Sequence, residues 1–221
     1  MTSRTAIQTD AFPTGERGVT RAFPEAWATL SETLVRGLAH ALSNRIATIG
    51  TIAELLRVGG DDPASMAQML GDETMRLEEL LDHMRAISTH QAKRLEAMRL
   101  SDAVAAAMSL HSCHPDRRAV TVTIEPGDDS RPVLGDAVRF QRELLLLLDA
   151  ATQAALVHPS RAVRVRFGLH GTTGVVRLSV GDADVGGPLP ECATGTIALG
   201  IEENDAGVSY LLVIPALGAG A

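Results

Sequence analysis

The run Gly59-Gly60-Asp61-Asp62-Pro63 constrains this chain more than any other feature. Adjacent glycines add no side chain to hold a helix, and proline lacks the N–H that a helix interior uses, so a helix is not expected to cross it. Both flanks are nevertheless helical in pattern. From Pro24 to Val58 apolar residues return every three or four positions. Beyond the break Met66, Met69, Leu70, Leu77, Leu80, Leu81, Met84 and Ile87 do the same, to about Ser88. Asp62 is placed to cap the second helix, with Pro63 at its first position. Two long helices on so short a connection fold back as an αα-hairpin.

A hairpin alone cannot cover both of its apolar stripes, and a second copy completing a four-helix bundle would do so, which predicts a homodimer. Past residue 100 the pattern changes. Ser101-Asp102 caps a short helix to Leu110, Val120–Ile124 reads as a strand, and a helix runs from Asp136 to about Val157. Strand-like segments follow at Ala162–Leu169, Gly174–Val180 and Val208–Ile214. The expected fold is α+β: a disordered tail over 1–23, a helical hairpin over 24–95, and a small α/β sandwich over 101–216. With 3% aromatic residues, the core must be aliphatic, which suits packed helices better than an aromatic-rich β-sandwich.

Twenty Lys+Arg against 27 Asp+Glu leave a net charge of −7, and no basic cluster long enough to track phosphates occurs, so nucleic acid is not an expected partner. The longest uninterrupted apolar stretch, Leu144–Leu148, is too short to span a bilayer and reads as domain core. No apolar leader segment precedes the first helix, and two cysteines, Cys113 and Cys192, lie far apart in sequence. A reducing, cytoplasmic setting without membrane attachment is the expectation.

On a wheel advancing about 100° per residue, Trp27, Leu34, Val35, Leu38, Leu42, Ile46, Ile49, Ile52, Ala53 and Leu56 cluster opposite His40. The histidine shares its own face with Thr33, Arg36, Gly37, Ser43, Asn44, Ala47 and Thr51. It therefore points to solvent among small and polar neighbours, with room for another protein. Arg36 and Asn44 stand one turn before and after it, within reach of a phosphoryl group on the ring.

The run Leu38-Ala39-His40-Ala41-Leu42-Ser43-Asn44-Arg45-Ile46-Ala47-Thr48-Ile49 resembles the H-box of two-component histidine kinases, roughly H-E-L-x-N-P-L-x-x-I. Arg76-Leu77-Glu78-Glu79-Leu80 is similar to that family's second helix. Val133-Leu134-Gly135-Asp136 with the helix after it looks like the entry to the N-box of the kinase ATPase domain. Val175–Gly186 looks like the strand and turn of the D-x-G-x-G box, and Gly207–Pro215 like the closing strand. In order and spacing the resemblance spans roughly residues 30 to 215.

The departures are systematic. Leu146 and Ala150 stand where the N-box asparagines would hold Mg²⁺ and phosphates, and leucine offers no oxygen to a hard cation. Asp182 and Gly186 remain of the D-x-G-x-G box, but Asp184 replaces the middle glycine. Gly195-Thr196-Ile197-Ala198-Leu199-Gly200 is all that stands for the second glycine box and lid. Ala41 replaces the acidic residue after the histidine, and Arg45 the proline. A retained phosphoacceptor with a lost nucleotide site resembles the histidine phosphotransferases of the ChpT type. That resemblance implies phosphate accepted on His40 from one receiver-domain aspartate and passed to another, with Arg36 and Asn44 supporting. It implies no cofactor of the chain's own, Mg²⁺ supplied by the partner receiver, and response-regulator receivers and a hybrid histidine kinase as partners. The alternatives are a non-catalytic adaptor for a response regulator or kinase, and a divergent histidine kinase.

Other features read as ordinary structure. His111-Ser112-Cys113-His114 lacks a second well-spaced pair of ligands and is expected to be a loop ending at Pro115. His83 and His90 are expected on the surface, Asp182 and Asp184 in a solvated turn, and Met66, Met69, Met75 and Met84 in the bundle core.

Overall fold

The computed structural model describes residues 16–59, 62–88, 94–181, 197–204 and 207–217. The order is α1 (Glu16–Arg57), α2 (Pro63–Ser88), β1 (Leu95–Met98), α3 (Leu100–His111), a 3₁₀ turn (Pro115–Ala119), β2 (Thr121–Pro126), β3 (Val133–Asp136), α4 (Ala137–Val157), β4 (Ala162–His170), β5 (Thr173–Gly181), β6 (Ala198–Asn204) and β7 (Gly207–Pro215). The chain is mixed α+β and divides into two compact units, Ser31–His90 and the remainder, in which the start of α1 through Leu30 groups with the C-terminal part. The expected tail over 1–23 is therefore helical from Glu16 onward, and Pro24 lies inside α1 rather than opening it. Residues 1–15 lie outside the described residues.

In the first unit the break folds as its residues dictate. Gly59 takes φ +81°, a left-handed conformation that glycine adopts without a Cβ clash, and its N–H bonds the Leu56 carbonyl at 3.3 Å. Asp62 Oδ1 accepts from the N–H groups of Ala64 and Ser65, each at 3.2 Å, so it caps α2 as expected. Within this unit the buried positions on α1 are Leu34, Leu38 and Ile52; on α2 they are Glu73 and Ile87. Met66 and Met84 are half-buried, whereas Met69 and Met75 are exposed, so only part of the expected methionine core forms.

The second unit carries a five-stranded sheet in the order β2-β4-β5-β7-β6 and a two-stranded sheet of β1 and β3. β2 pairs parallel with β4, and every other pairing is antiparallel. Val163, Val165 and Phe167 on β4 alternate with half-buried residues, so one sheet face carries the apolar side chains that the helices cover. α4 packs against both that sheet and α3, and α3 itself also reaches β4. Its Leu144–Leu148 run is buried on every side, as a helix apolar all round must be. Asp136 caps it, accepting from the Arg139 N–H at 3.0 Å.

Three strands and one cap depart from expectation. β1, β3 and β6 carry no clear alternation and were not predicted as strands. Ala198-Leu199-Gly200, read as part of a glycine-box remnant, instead opens the edge strand β6, with Gly200 opposite Leu211. Ser101 does not cap α3. The Asp129 carboxylate does, accepting from the Leu100 N–H at 3.1 Å and the Ser101 N–H at 3.3 Å, while Arg99 Nη1 donates to the Asp129 carbonyl at 3.0 Å.

Candidate functional site

His40 lies on the exposed side of α1, and Asn44 one turn later is exposed beside it. Asn44 Nδ2 lies 3.3 Å from His40 Nε2. With the amide nitrogen donating, this contact matches the tautomer that has its lone pair on Nε2 and its proton on Nδ1. Nε2 thus faces Asn44 at a defined point on the exposed helix surface.

The hydroxyls around it are self-contained. Ser43 donates to the Ala39 carbonyl at 2.9 Å, Thr48 to that of Asn44 at 3.0 Å and Thr51 to that of Ala47 at 3.0 Å. Arg36 does not lean toward His40. Its Nη2 donates to Glu32 Oε1 at 3.0 Å, one turn in the opposite direction, and both side chains are about three-quarters exposed. A surface pair of this kind is held weakly, so an anion near His40 can draw the guanidinium away. The residue after the histidine, Ala41, brings no acid or base.

Sequence reasoning passed over one element beneath this face. Arg45 Nη1 reaches across to α2 and lies 3.1 Å from each carboxylate oxygen of Glu73, and Arg76 Nη1 also donates to Glu73 Oε1. Glu73 is 5% exposed. Burial raises its pKa, but the hydrogen bonds from Arg76 and Arg45 outweigh this and hold the carboxyl below its ordinary range. The signal lay in the spacing: Met66, Leu70, Glu73, Leu77, Leu80, Met84 and Ile87 recur at alternating four- and three-residue intervals, a heptad seam with one acid in it.

In the C-terminal unit Leu146 is buried and Ala150 half-buried, so neither position presents an oxygen for a metal or phosphate. Asp182, Asp184, Gly186, Gly195, Cys192 and His90 lie outside the described residues. No cluster of three or more His, Cys, Asp or Glu side chains suited to a metal occurs among the described residues, and no helix there is long and apolar enough to cross a membrane.

Ser112-Cys113-His114 form the expected turn before Pro115, but His111 belongs to α3 rather than to that loop. His111 ends α3 fully buried, its ring stacked on that of His114 at 5.6 Å, with Nε2 3.3 Å from Thr152 Oγ1. Burial, reinforced by the nearby His114 and Arg117, lowers its pKa to about 4. His114 Nδ1 accepts from the Asp116 N–H at 3.2 Å, so its Nε2–H faces Asp149 Oδ1 at 3.3 Å. His83 is half-buried rather than a surface residue, and burial lowers its pKa as well.

No protein-family model matches this chain, and no curated protein does either. Solved structures similar to it include the histidine kinase AdeS of Acinetobacter baumannii, at 13% identity and TM-score 0.43 over 81% of this chain and 98% of that one. Histidine kinase ThkA in complex with the response regulator protein TrrA aligns at 18% identity and TM-score 0.45, over 96% of this chain and 70% of that one. The catalytic domain of ThkA aligns at 15% identity and TM-score 0.42, over 55% of this chain and 95% of that one.

Proposed function

We propose that this protein is a histidine phosphotransferase of a phosphorelay, a phosphotransferase enzyme rather than an ATP-dependent kinase. The observation that carries this reading is an exposed His40 with Asn44 Nδ2 3.3 Å from its Nε2, on a helix with no acid at position 41. An aspartyl phosphate is a mixed anhydride and needs little help to react. His40 Nε2 attacks phosphorus, the P–N bond forms, the P–O bond to the acyl oxygen breaks, and the aspartate carboxylate leaves. The Nδ1 proton passes to water, leaving a neutral ring that bears the anionic phosphoryl group. Attack by a second receiver's aspartate reverses the sequence. Arg36, released from Glu32, offsets charge on the transferring group, and Asn44 donates to a phosphoryl oxygen.

The partners in this reading are response-regulator receivers, one of them carried by a hybrid histidine kinase, each bringing its own Mg²⁺. Leu146 and Ala150 support a chain that binds no nucleotide. A second copy of the chain completes the hairpin. Val35, Ala39, Leu42, Ile46, Ile49, Ala53 and Leu56 form a heptad stripe on α1, and Val35, Ile46 and Leu56 are exposed at 39%, 57% and 36%. Pairing two such stripes builds a four-helix bundle with His40 on its outer faces.

Labelled ATP alone and a labelled phospho-receiver, each offered to wild type and to His40→Gln, test the proposal. Transfer is expected from the receiver only, and only to wild type. Label from ATP alone would establish a kinase, and wild-type labelling retained in His40→Gln would move the phosphoacceptor elsewhere.

A further inference from the structure

Arg45 and Glu73 face one another across a helix–helix seam whose other buried positions, Leu34, Leu38, Ile52 and Ile87, are aliphatic. On α1 the seam positions Leu34, Leu38, Ala41, Arg45 and Ile52 keep heptad spacing, and on α2 Glu73 falls between Leu70 and Leu77 in the same pattern. Aliphatic seams of this kind slide and rotate at little cost, because one leucine packs against the next about as well as against the last. A buried carboxylate removes that freedom. Any rotation or slip that separates Glu73 from Arg45 leaves a charge in the seam with one of its two partners gone, a penalty well beyond that of misplaced leucines.

We infer that the Arg45–Glu73–Arg76 cluster is a register lock that positions His40. The inference rests on the phosphotransfer reading for its functional half. Arg45 is five residues beyond His40 on the same helix, about 140° around it. Fixing Arg45 against α2 therefore fixes the direction in which the imidazole leaves α1. Asn44, the immediate neighbour of Arg45, is held by the same constraint, so the amide and the ring keep their shared orientation toward an incoming receiver. Arg45 acts as a positioning residue: its guanidinium is spent on Glu73, away from the phosphoryl group.

The contact uses a single guanidinium nitrogen, equidistant from both carboxylate oxygens. A lysine ammonium can take that point, whereas leucine cannot. Three proteins separate the lock from simple stability: wild type, Arg45→Lys, and the double variant Arg45→Leu/Glu73→Leu. The double variant keeps an apolar seam and is expected to remain folded with an equal or higher Tm, as circular dichroism reads it.

Two measurements follow. With Cys113 and Cys192 replaced by serine, spin labels at positions 47 and 78, in one protomer per dimer, report the distance between the helices. A single narrow distribution is expected for wild type and Arg45→Lys, and a broadened or shifted one for the double variant. The rate of transfer from a phosphorylated receiver at saturation is expected to fall about tenfold or more in the double variant, with the receiver's KM little changed and Arg45→Lys near wild type. An unchanged distance distribution in the double variant overturns the lock. A broadened one with wild-type transfer overturns its positioning of His40. If wild type takes no phosphate from any receiver while the distribution still broadens, the phosphotransfer reading fails and the lock stands.

Discussion

The Asn44 carboxamide meets His40 at Nε2, 3.3 Å away and one turn along α1. That contact does more than crowd the ring, because an amide N–H donor at Nε2 favours the tautomer with its proton on Nδ1.

Removing the donor should therefore show in the imidazole itself. Nitrogen NMR of wild type above pH 8 is expected to show mainly the Nδ1–H tautomer. Asn44→Ala is expected to move His40 toward the Nε2–H form, since a neutral hydrogen bond contributes about 1 kcal/mol. Identical tautomer populations in the two proteins would remove Asn44 from the site.

The exposed stripe on α1 makes the second prediction. Ile46, 57% exposed, lies near the middle of the proposed bundle seam. Ile46→Glu places a charge on each side of that seam, and light scattering is expected to find a dimer for wild type and a monomer for the variant. Ala47→Lys, an exposed change off the stripe, should leave the mass unaltered. A dimeric Ile46→Glu protein would place the interface elsewhere.

Asp129 offers a prediction in which sequence and structure disagree. Its carboxylate accepts from two N–H groups at the start of α3, while Ser101 Oγ turns to Asp102 at 3.4 Å. Asp129→Ala should lower the stability of the C-terminal unit by about 1 kcal/mol in urea, and Ser101→Ala by much less. The reverse ranking would restore Ser101 as the cap.

Acid should loosen the same unit through His111. Its folded pKa is about 4, below the ordinary value of 6.5, so between those values the unfolded chain binds a proton that the folded one refuses. Stability is complete above pH 6.5 and falls as pH drops toward 4, by roughly 3 kcal/mol at most from this residue. Asp149 and Glu143, raised chiefly by burial, act with opposite sign toward the acid end, and the lowered His83 acts with the same sign in the hairpin. The single tryptophan, Trp27, has the Arg142 guanidinium 5.1 Å from its ring and reports on this unit. Thermal melts followed by its fluorescence should lose most of their dependence between pH 5 and 7 in His111→Gln. An unchanged slope would place the acid-sensitive group elsewhere.

Local chemistry made much of this legible in the sequence. Gly59, Asp62 and Pro63 bound the hairpin turn at the expected residues, and Asp136 opens α4, because caps and breakers act within a few residues of themselves. The exposed placement of His40 followed from a wheel for the same reason. What was missed depends on partners distant in the chain. β1 and β3 are four residues each and are strands because they pair with one another. Asp129 caps a helix that begins twenty-nine residues earlier. His111 is buried because Thr152 and the stacked His114 give it somewhere to go. Arg36 could be placed one turn from His40, but its choice of Glu32 is a side-chain decision that spacing alone does not make.

The parallel pairing of β2 with β4 sets an order in time. Thr121 meets Ala162 only after β3 and the whole of α4 have been made and folded back, whereas α1 and α2 close over one short turn. Synthesis thus delivers both helices that carry the histidine before it delivers the strand on which the sheet's parallel pair depends.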